Sequence, residues 1–122
     1  MQFLETSKLL TEEYSAKILL ATMGRPKSAL ELSEKLGIPI ANCYRKIRSL
    51  EEAGLLFCAE RKLTQAGKRM SLYKARVMNA QIIFERNKIK ARLEMIDGTT
   101  QDCNYDVDLS GFMQKAAPIM KM

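Results

Sequence analysis

Histidine and tryptophan are absent from this chain of 122 residues, and cysteine occurs only three times. Without His, the usual imidazole base and the commonest zinc ligand are both missing. Cys43, Cys58 and Cys103 are odd in number, and no C-x-x-C spacing occurs. That argues against a disulfide framework and against a metal site, and reduced thiols are the simplest account. No apolar run approaches the roughly 18 residues of a membrane span. The opening Met-Gln-Phe-Leu-Glu-Thr lacks the basic and apolar blocks of a signal peptide. The expected location is therefore the cytoplasm, with no membrane partner. Nucleophile elbow, P-loop and dinucleotide fingerprint are also missing, so no catalytic residue and no cofactor are expected.

What is present is positive charge, unevenly placed. The net charge is +6. Residues 37–76 hold nine Lys or Arg against three Glu, whereas residues 1–36 balance and residues 97–108 hold four Asp and no base. A basic surface confined to one part of a chain is the footprint of a polyanion partner, although a merely solvated face has the same composition. The four acids, Asp97, Asp102, Asp106 and Asp108, do not match a calcium loop and read as a solvated acidic linker.

The chain is long enough for one domain, and its hydrophobic content of 47% can fill one core. Phe3 to Leu10 is a short helical candidate. Thr11-Glu12-Glu13 reads as the start of a second helix, with Thr11 as its cap and the acids at the positive end of the dipole. Tyr14, Ile18 and Ala21, with Leu19 or Leu20, share its inner face, and Gly24-Arg25-Pro26 ends it. Ser28 with Glu31 forms a capping box for a third helix. Its Leu30 and Leu36, with Ala29 and Leu32, should point inward, and Gly37 supplies a sharp turn. A fourth helix, roughly Ile40 to Ala53, carries Cys43, Ile47 and Leu50 on one stripe. Cys43 there reads as a small core residue more readily than as a redox switch. Cys103, in the acidic stretch, is the thiol expected to react. The outer face of the fourth helix is small, polar and basic: Ala41, Arg45, Arg48, Ser49 and Glu52, flanked by Asn42 and Tyr44. Small residues let a backbone approach base edges, Arg can bond guanine in bidentate geometry, and Asn can bond adenine.

Leu56 to Leu63 and Met70 to Val77 read as two strands joined by Thr64-Gln65-Ala66-Gly67-Lys68-Arg69, with Gly67 at a position of positive φ. Arg61, Lys62, Lys68 and Arg69 gather near this tip. From Asn79 the period becomes two, with Ile89, Ala91, Leu93 and Met95 alternating with Lys90, Arg92 and Glu94. This predicts a second hairpin turning at Arg86-Asn87-Lys88. A helix over the same span is the alternative, and the clean alternation favours strands. Residues 98–111 are acidic, polar and turn-rich and read as loose, and the end from Phe112 reads as an amphipathic arm or disorder.

The expected fold class is mainly α with a β-wing, an α+β winged helix-turn-helix with an added C-terminal β-hairpin. The expected organisation is 1–77 for the winged helix-turn-helix, 78–97 for the hairpin packed on it, and 98–122 for the acidic segment and arm. The string Ile-Pro-Ile-Ala-Asn-Cys-Tyr-Arg-Lys-Ile-Arg-Ser-Leu-Glu-Glu-Ala-Gly-Leu-Leu, Ile38 to Leu56, resembles the recognition-helix segment of winged-helix transcriptional regulators. It is most like archaeal members of the broad ArsR-like group. Gly67-Lys68-Arg69 and Leu72-Tyr73-Lys74 are similar to their wing. The resemblance covers about residues 11–77 and implies a dimeric repressor or activator whose recognition positions match Ala41, Asn42, Tyr44, Arg45 and Arg48. Metal-sensing members carry a Cys pair in the first helix of the motif. Ser28 to Leu36 has no Cys and the chain has no His, so metal sensing is not implied.

The expected function is regulation of transcription through double-stranded DNA. Asn42, Tyr44, Arg45 and Arg48 would read bases, and Lys46, Arg61, Lys62, Lys68 and Arg69 would hold phosphates. The chain is expected to be a homodimer, built from Phe3, Leu4, Leu9 and Leu10, from Ile82, Phe84, Ile89, Leu93 and Met95, or from both. The alternative for the second group is that it caps the domain's own core. Two rivals remain: a winged-helix protein-interaction module within a larger assembly, and an RNA binder, for which Tyr44 and Tyr73 are the only aromatics near the basic surface. No residue set identifies an effector.

Overall fold

The computed structural model describes residues 3–110, and the expected C-terminal arm lies outside them. Four helices are followed by two small antiparallel sheets, a mixed α+β arrangement. The helices are α1 (Phe3–Thr11), α2 (Glu13–Thr22), α3 (Ala29–Leu36) and α4 (Ile40–Glu52), with a two-residue strand β1 (Lys27–Ser28) before α3. No described helix is long and apolar enough to cross a membrane.

Local chemistry sets the helix ends. α2 is capped by Glu12, whose carboxylate accepts from the amides of Tyr14 and Ser15. Thr11, expected as that cap, instead closes α1 and donates its hydroxyl to the Ser7 carbonyl at 2.7 Å. Glu12 displaces it because its longer side chain reaches back to two first-turn amides. Ser28 caps α3 by accepting from the Glu31 amide, and Gly37 ends it at φ 69°. Leu30 does not point inward as expected. It is 56% exposed, while Ala29 and Leu32 hold the buried stripe, because α3 packs on α2 and α4 through that stripe and Leu30 lies on its other side.

β2 (Leu56–Leu63) and β3 (Arg69–Ala75) form a hairpin, and β1 pairs with the far side of β3. β3 stops at Ala75 rather than Val77. At Arg76 the chain passes to the second sheet: its amide donates to Leu55 O, and its own carbonyl accepts from Ile96 N. The second sheet contains β4 (Val77–Glu85), β5 (Lys88–Met95) and β6 (Thr100–Asp106), in that order. β6 corrects the expectation of a loose acidic segment. The strand pairs with Lys88–Glu94 of β5, and its acids face bases there, Asp102 bonding Arg92 at 3.0 Å and Asp106 lying opposite Lys88. Polar composition hid it because an outer strand with one solvated face needs few apolar residues. Asp97 accepts from the amide and hydroxyl of Thr99 in the β5–β6 turn.

One core joins these layers. Ile18, Leu32, Ile38, Cys43, Ile47, Leu50, Leu55, Leu56, Val77, Leu93 and Met95 pack in a single cluster, each large aliphatic contributing about 1.5–3 kcal/mol of burial. Leu93 and Met95, expected as possible interface residues, are core. A smaller cluster joins Phe3 to Ala91 and Cys103, and Phe3 also stacks on Tyr105 with ring centroids 6.0 Å apart. Cys103 is thus buried, not the accessible thiol expected, and Cys58 is the half-exposed one.

Candidate nucleic-acid interface

The geometry of the site begins with what α4 buries. Cys43, Ile47 and Leu50 are enclosed, and burial pushes the Cys43 thiol up. That stripe is pinned against α2 and α3, so the opposite face must turn to solvent. Ala41, Tyr44, Arg45 and Arg48 are exposed, and Asn42, Lys46 and Ser49 are half-buried along the flanks. Pro39 precedes the helix and offers no side-chain cap. The first-turn amides beside Ala41 are therefore left without a capping side chain, at the positive end of the helix dipole.

The polar residues on this face are linked. Arg45 donates to the Asn42 side-chain oxygen, one turn away on the same face. The guanidinium has five N–H donors in total, so this contact orients Arg45 and leaves donors over. Lys46, expected as a phosphate contact, has a carboxylate neighbour. Its ammonium lies 3.5 Å from the Glu12 carboxylate, on the flank facing α1 and α2, where Glu5, Lys8, Ser15, Ser49 and Glu52 line a mixed-charge pocket. A lysine already facing a carboxylate is a poorer phosphate contact.

The β2–β3 tip is tightly closed. The Thr64 amide donates to Lys68 O at 2.7 Å, the Gly67 amide to Thr64 O at 2.9 Å, and the Lys68 amide to the Thr64 hydroxyl at 3.1 Å. Gly67 takes φ 77°, a conformation that side chains resist. Arg61, Lys62, Lys68 and Arg69 are all exposed. Lys62 faces Glu60 at 3.9 Å. Among the described residues, Arg45, Arg48, Arg61, Lys68 and Arg69 have no carboxylate within 4.0 Å. Their charge is therefore available to a ligand.

A groove of about 480 Å³ runs between the start of α4 and this hairpin. Tyr44, Lys68 and Arg69 line it together, with Ile40, Leu30 and Tyr73. Among the described residues, two bases and no acid border it, which gives the groove one sign of potential. The structure thus joins Tyr44 to the hairpin bases, leaves Arg45 and Asn42 as a linked pair on the outer face, and sends Lys46 to the other flank. Leu30 and Ile40 were missed from sequence as groove residues, whereas Tyr73 was noted there as an aromatic near the basic surface. Leu30 was expected in the core and Ile40 only as a helix start, and the packing of the hairpin on α3 and α4 brings both to the groove. Burial pushes the Tyr73 phenol up, so it lines the groove as a neutral group.

Among the described residues, no three Cys, Asp or Glu side chains gather in a way that could hold a metal ion. No curated protein matches the chain. Residues 10–56 match a family model described as a helix-turn-helix domain. The match runs from the end of α1 to the first residue of β2, taking in the α3–turn–α4 pair and the exposed basic face, and it makes this stretch similar to the DNA-binding domains of regulators.

Proposed function

We propose that this chain is a winged helix-turn-helix regulator that binds double-stranded DNA in a sequence-dependent way as a homodimer. In this reading α4 is the recognition helix and enters the major groove with Asn42, Tyr44, Arg45 and Arg48 towards base edges. Ala41 is small enough to let the helix backbone approach the base edges. The β2–β3 hairpin is the wing, and Arg61, Lys62, Lys68 and Arg69 contact phosphates. Lys46 plays a lesser part, since it faces Glu12. The observation that carries the reading is a set of five cations without a carboxylate partner among the described residues, Arg45 and Arg48 on one helix face and Arg61, Lys68 and Arg69 on the adjoining hairpin, of which Lys68 and Arg69 border a groove that no described acid lines. A protein-interaction module would be better served by an apolar or acidic face on α4, and an RNA binder by more aromatics beside the cations.

A salt titration of duplex binding tests this. Log affinity should fall with log salt at a slope near −0.9 for each phosphate neutralised. Arg45→Ala should cost about 1–3 kcal/mol on the preferred site and relax its base preference. Lys68→Ala should weaken all sequences alike and reduce the slope by about one. Absence of duplex binding at low salt would sink the reading. Equal loss on specific and random DNA for Arg45→Ala would sink the assignment of α4.

A further inference from the structure

Several exposed apolar side chains converge on one edge of the molecule. β4 is the outer strand of its sheet. Ala80, Ile82 and Phe84 lie opposite Leu93, Ala91 and Ile89 of β5, so these side chains share a face. Over β5 and β6 that face is covered by α1, where Phe3 packs on Ala91 and Cys103. Over β4 the cover ends, leaving a groove of about 380 Å³ between α2 and the strand. Leu19, Leu20, Met23, Met78 and Ile82 are among its walls, and no described lining residue is charged, in a chain of which 28% is charged. Phe84, further along the strand, is 79% exposed, the highest value for a large apolar side chain among the described residues.

Among the described residues, the outward edge of β4 is equally bare. Val-Met-Asn-Ala-Gln-Ile-Ile-Phe-Glu contains no proline and a single charge at its end, and the one register shift lies between Val77 and Asn79. Lysine, proline or a central bulge normally blunts such an edge.

We propose that a second copy of this chain docks here, its β4 pairing antiparallel with this β4 across a two-fold axis and its Phe84 entering this groove. An antiparallel edge is self-complementary, because the same strand reversed satisfies its outward N–H and C=O groups. Centred on Gln81, the middle residue of β4, the pairing sets Ala80 against the partner's Ile82, and Met78 against the partner's Phe84. Charge selects the same face. Two copies at +6 each repel, and no described residue lining this groove is charged, whereas Lys68 and Arg69 line the groove between α4 and the β2–β3 hairpin. The inference deepens the homodimer part of the proposed function and is independent of the nucleic acid.

Sedimentation equilibrium of the full chain, with amide hydrogen exchange, tests it. The chain should sediment as a dimer of 13.9 kDa subunits. Phe84→Glu should weaken the dimer about 30-fold or more, as expected for a central anchor, and yield a folded monomer, since the side chain is outside the core. Leu20→Glu, from the α2 wall, should do the same and stands in if the first variant does not fold. Leu63→Glu, an exposed apolar position on the β2–β3 hairpin, should leave the dimer intact. Alternate amides across residues 79–84 should be protected in the dimer and lose protection in Phe84→Glu. A wild-type chain that stays monomeric at micromolar concentration overturns both the homodimer and this surface, whether or not an apolar peptide or ligand then fills the groove. A dimer indifferent to Phe84→Glu and Leu20→Glu overturns the surface alone. Duplex binding, measured separately, decides the DNA reading.

Discussion

Glu12 shows how much one side chain can do at the junction of two helices. It accepts from the Ser15 amide at 2.8 Å and the Tyr14 amide at 3.3 Å, and it faces Lys46 at 3.5 Å. Burial alone would raise its pKa, but the bonds from Ser15 and Tyr14 and the nearby ammonium outweigh it, holding the carboxyl below its ordinary 4.5. The sign for stability follows. A carboxyl whose folded pKa is depressed binds fewer protons when folded, so its contribution is present above 4.5 and is lost as pH falls through the folded value. Glu12→Ala should therefore cost about 1 kcal/mol near neutrality, the usual worth of a cap. The gap between variant and wild type in urea unfolding should narrow in strong acid. A gap independent of pH would mean that packing, not the ionised cap, carries the effect.

At the scale of elements, the α3–α4 turn sets the direction of the basic face. Gly37 adopts φ 69°, and its amide donates to Ser33 O, as does that of Ile38. A Cβ there would meet no atom within 4 Å, so any penalty is strain in the backbone itself. Gly37→Ala should cost roughly 1–2 kcal/mol, and Gly37→Asn less, because Asn tolerates the left-handed region. Chemical denaturation of the two variants checks this. Equal costs would point to a contact rather than to φ. The second sheet has a different logic. β5 is basic and β6 acidic, and Arg92–Asp102 and Lys90–Glu85 pair across strands. The acidic stretch thus neutralises its own sheet and leaves the positive surface to α4 and the β2–β3 hairpin.

For the molecule as a whole, the second sheet is tied into the core of the helices. Val77, Leu93 and Met95 lie in the same cluster as Ile18, Ile47 and Leu50. Leu93→Ala should cost about 2–5 kcal/mol, with the helices and both sheets melting together. Thermal unfolding followed by far-UV circular dichroism checks it. Two separate transitions, with only the later strands destabilised, would show that the second sheet is an independent unit. Phe84, on the same face as Leu93 but over the uncovered strand, should be replaceable at little cost to the monomer. The contrast between these two positions separates core from surface.

The sequence alone determined the four helices, the turn at Gly37, the buried stripe of α4 and the charge asymmetry. Each follows from interactions within a few residues or from composition: the cap at Ser28, a glycine suited to positive φ, and the spacing of Cys43, Ile47 and Leu50. It also indicated the exposed side of α4, because a helix with one apolar stripe has only one other face. Tertiary structure decided what depends on distant partners. β6 is a strand because β5 lies beside it, Leu30 is exposed because α3 packs through Ala29 and Leu32, and Lys46 faces Glu12 because α4 crosses the start of α2. The alternating apolar residues of the second sheet were visible, but not which of them α1 and the core would cover. Leu93 and Phe84 carry the same signal in sequence. They differ because β5 lies at the centre of its sheet and β4 at its edge.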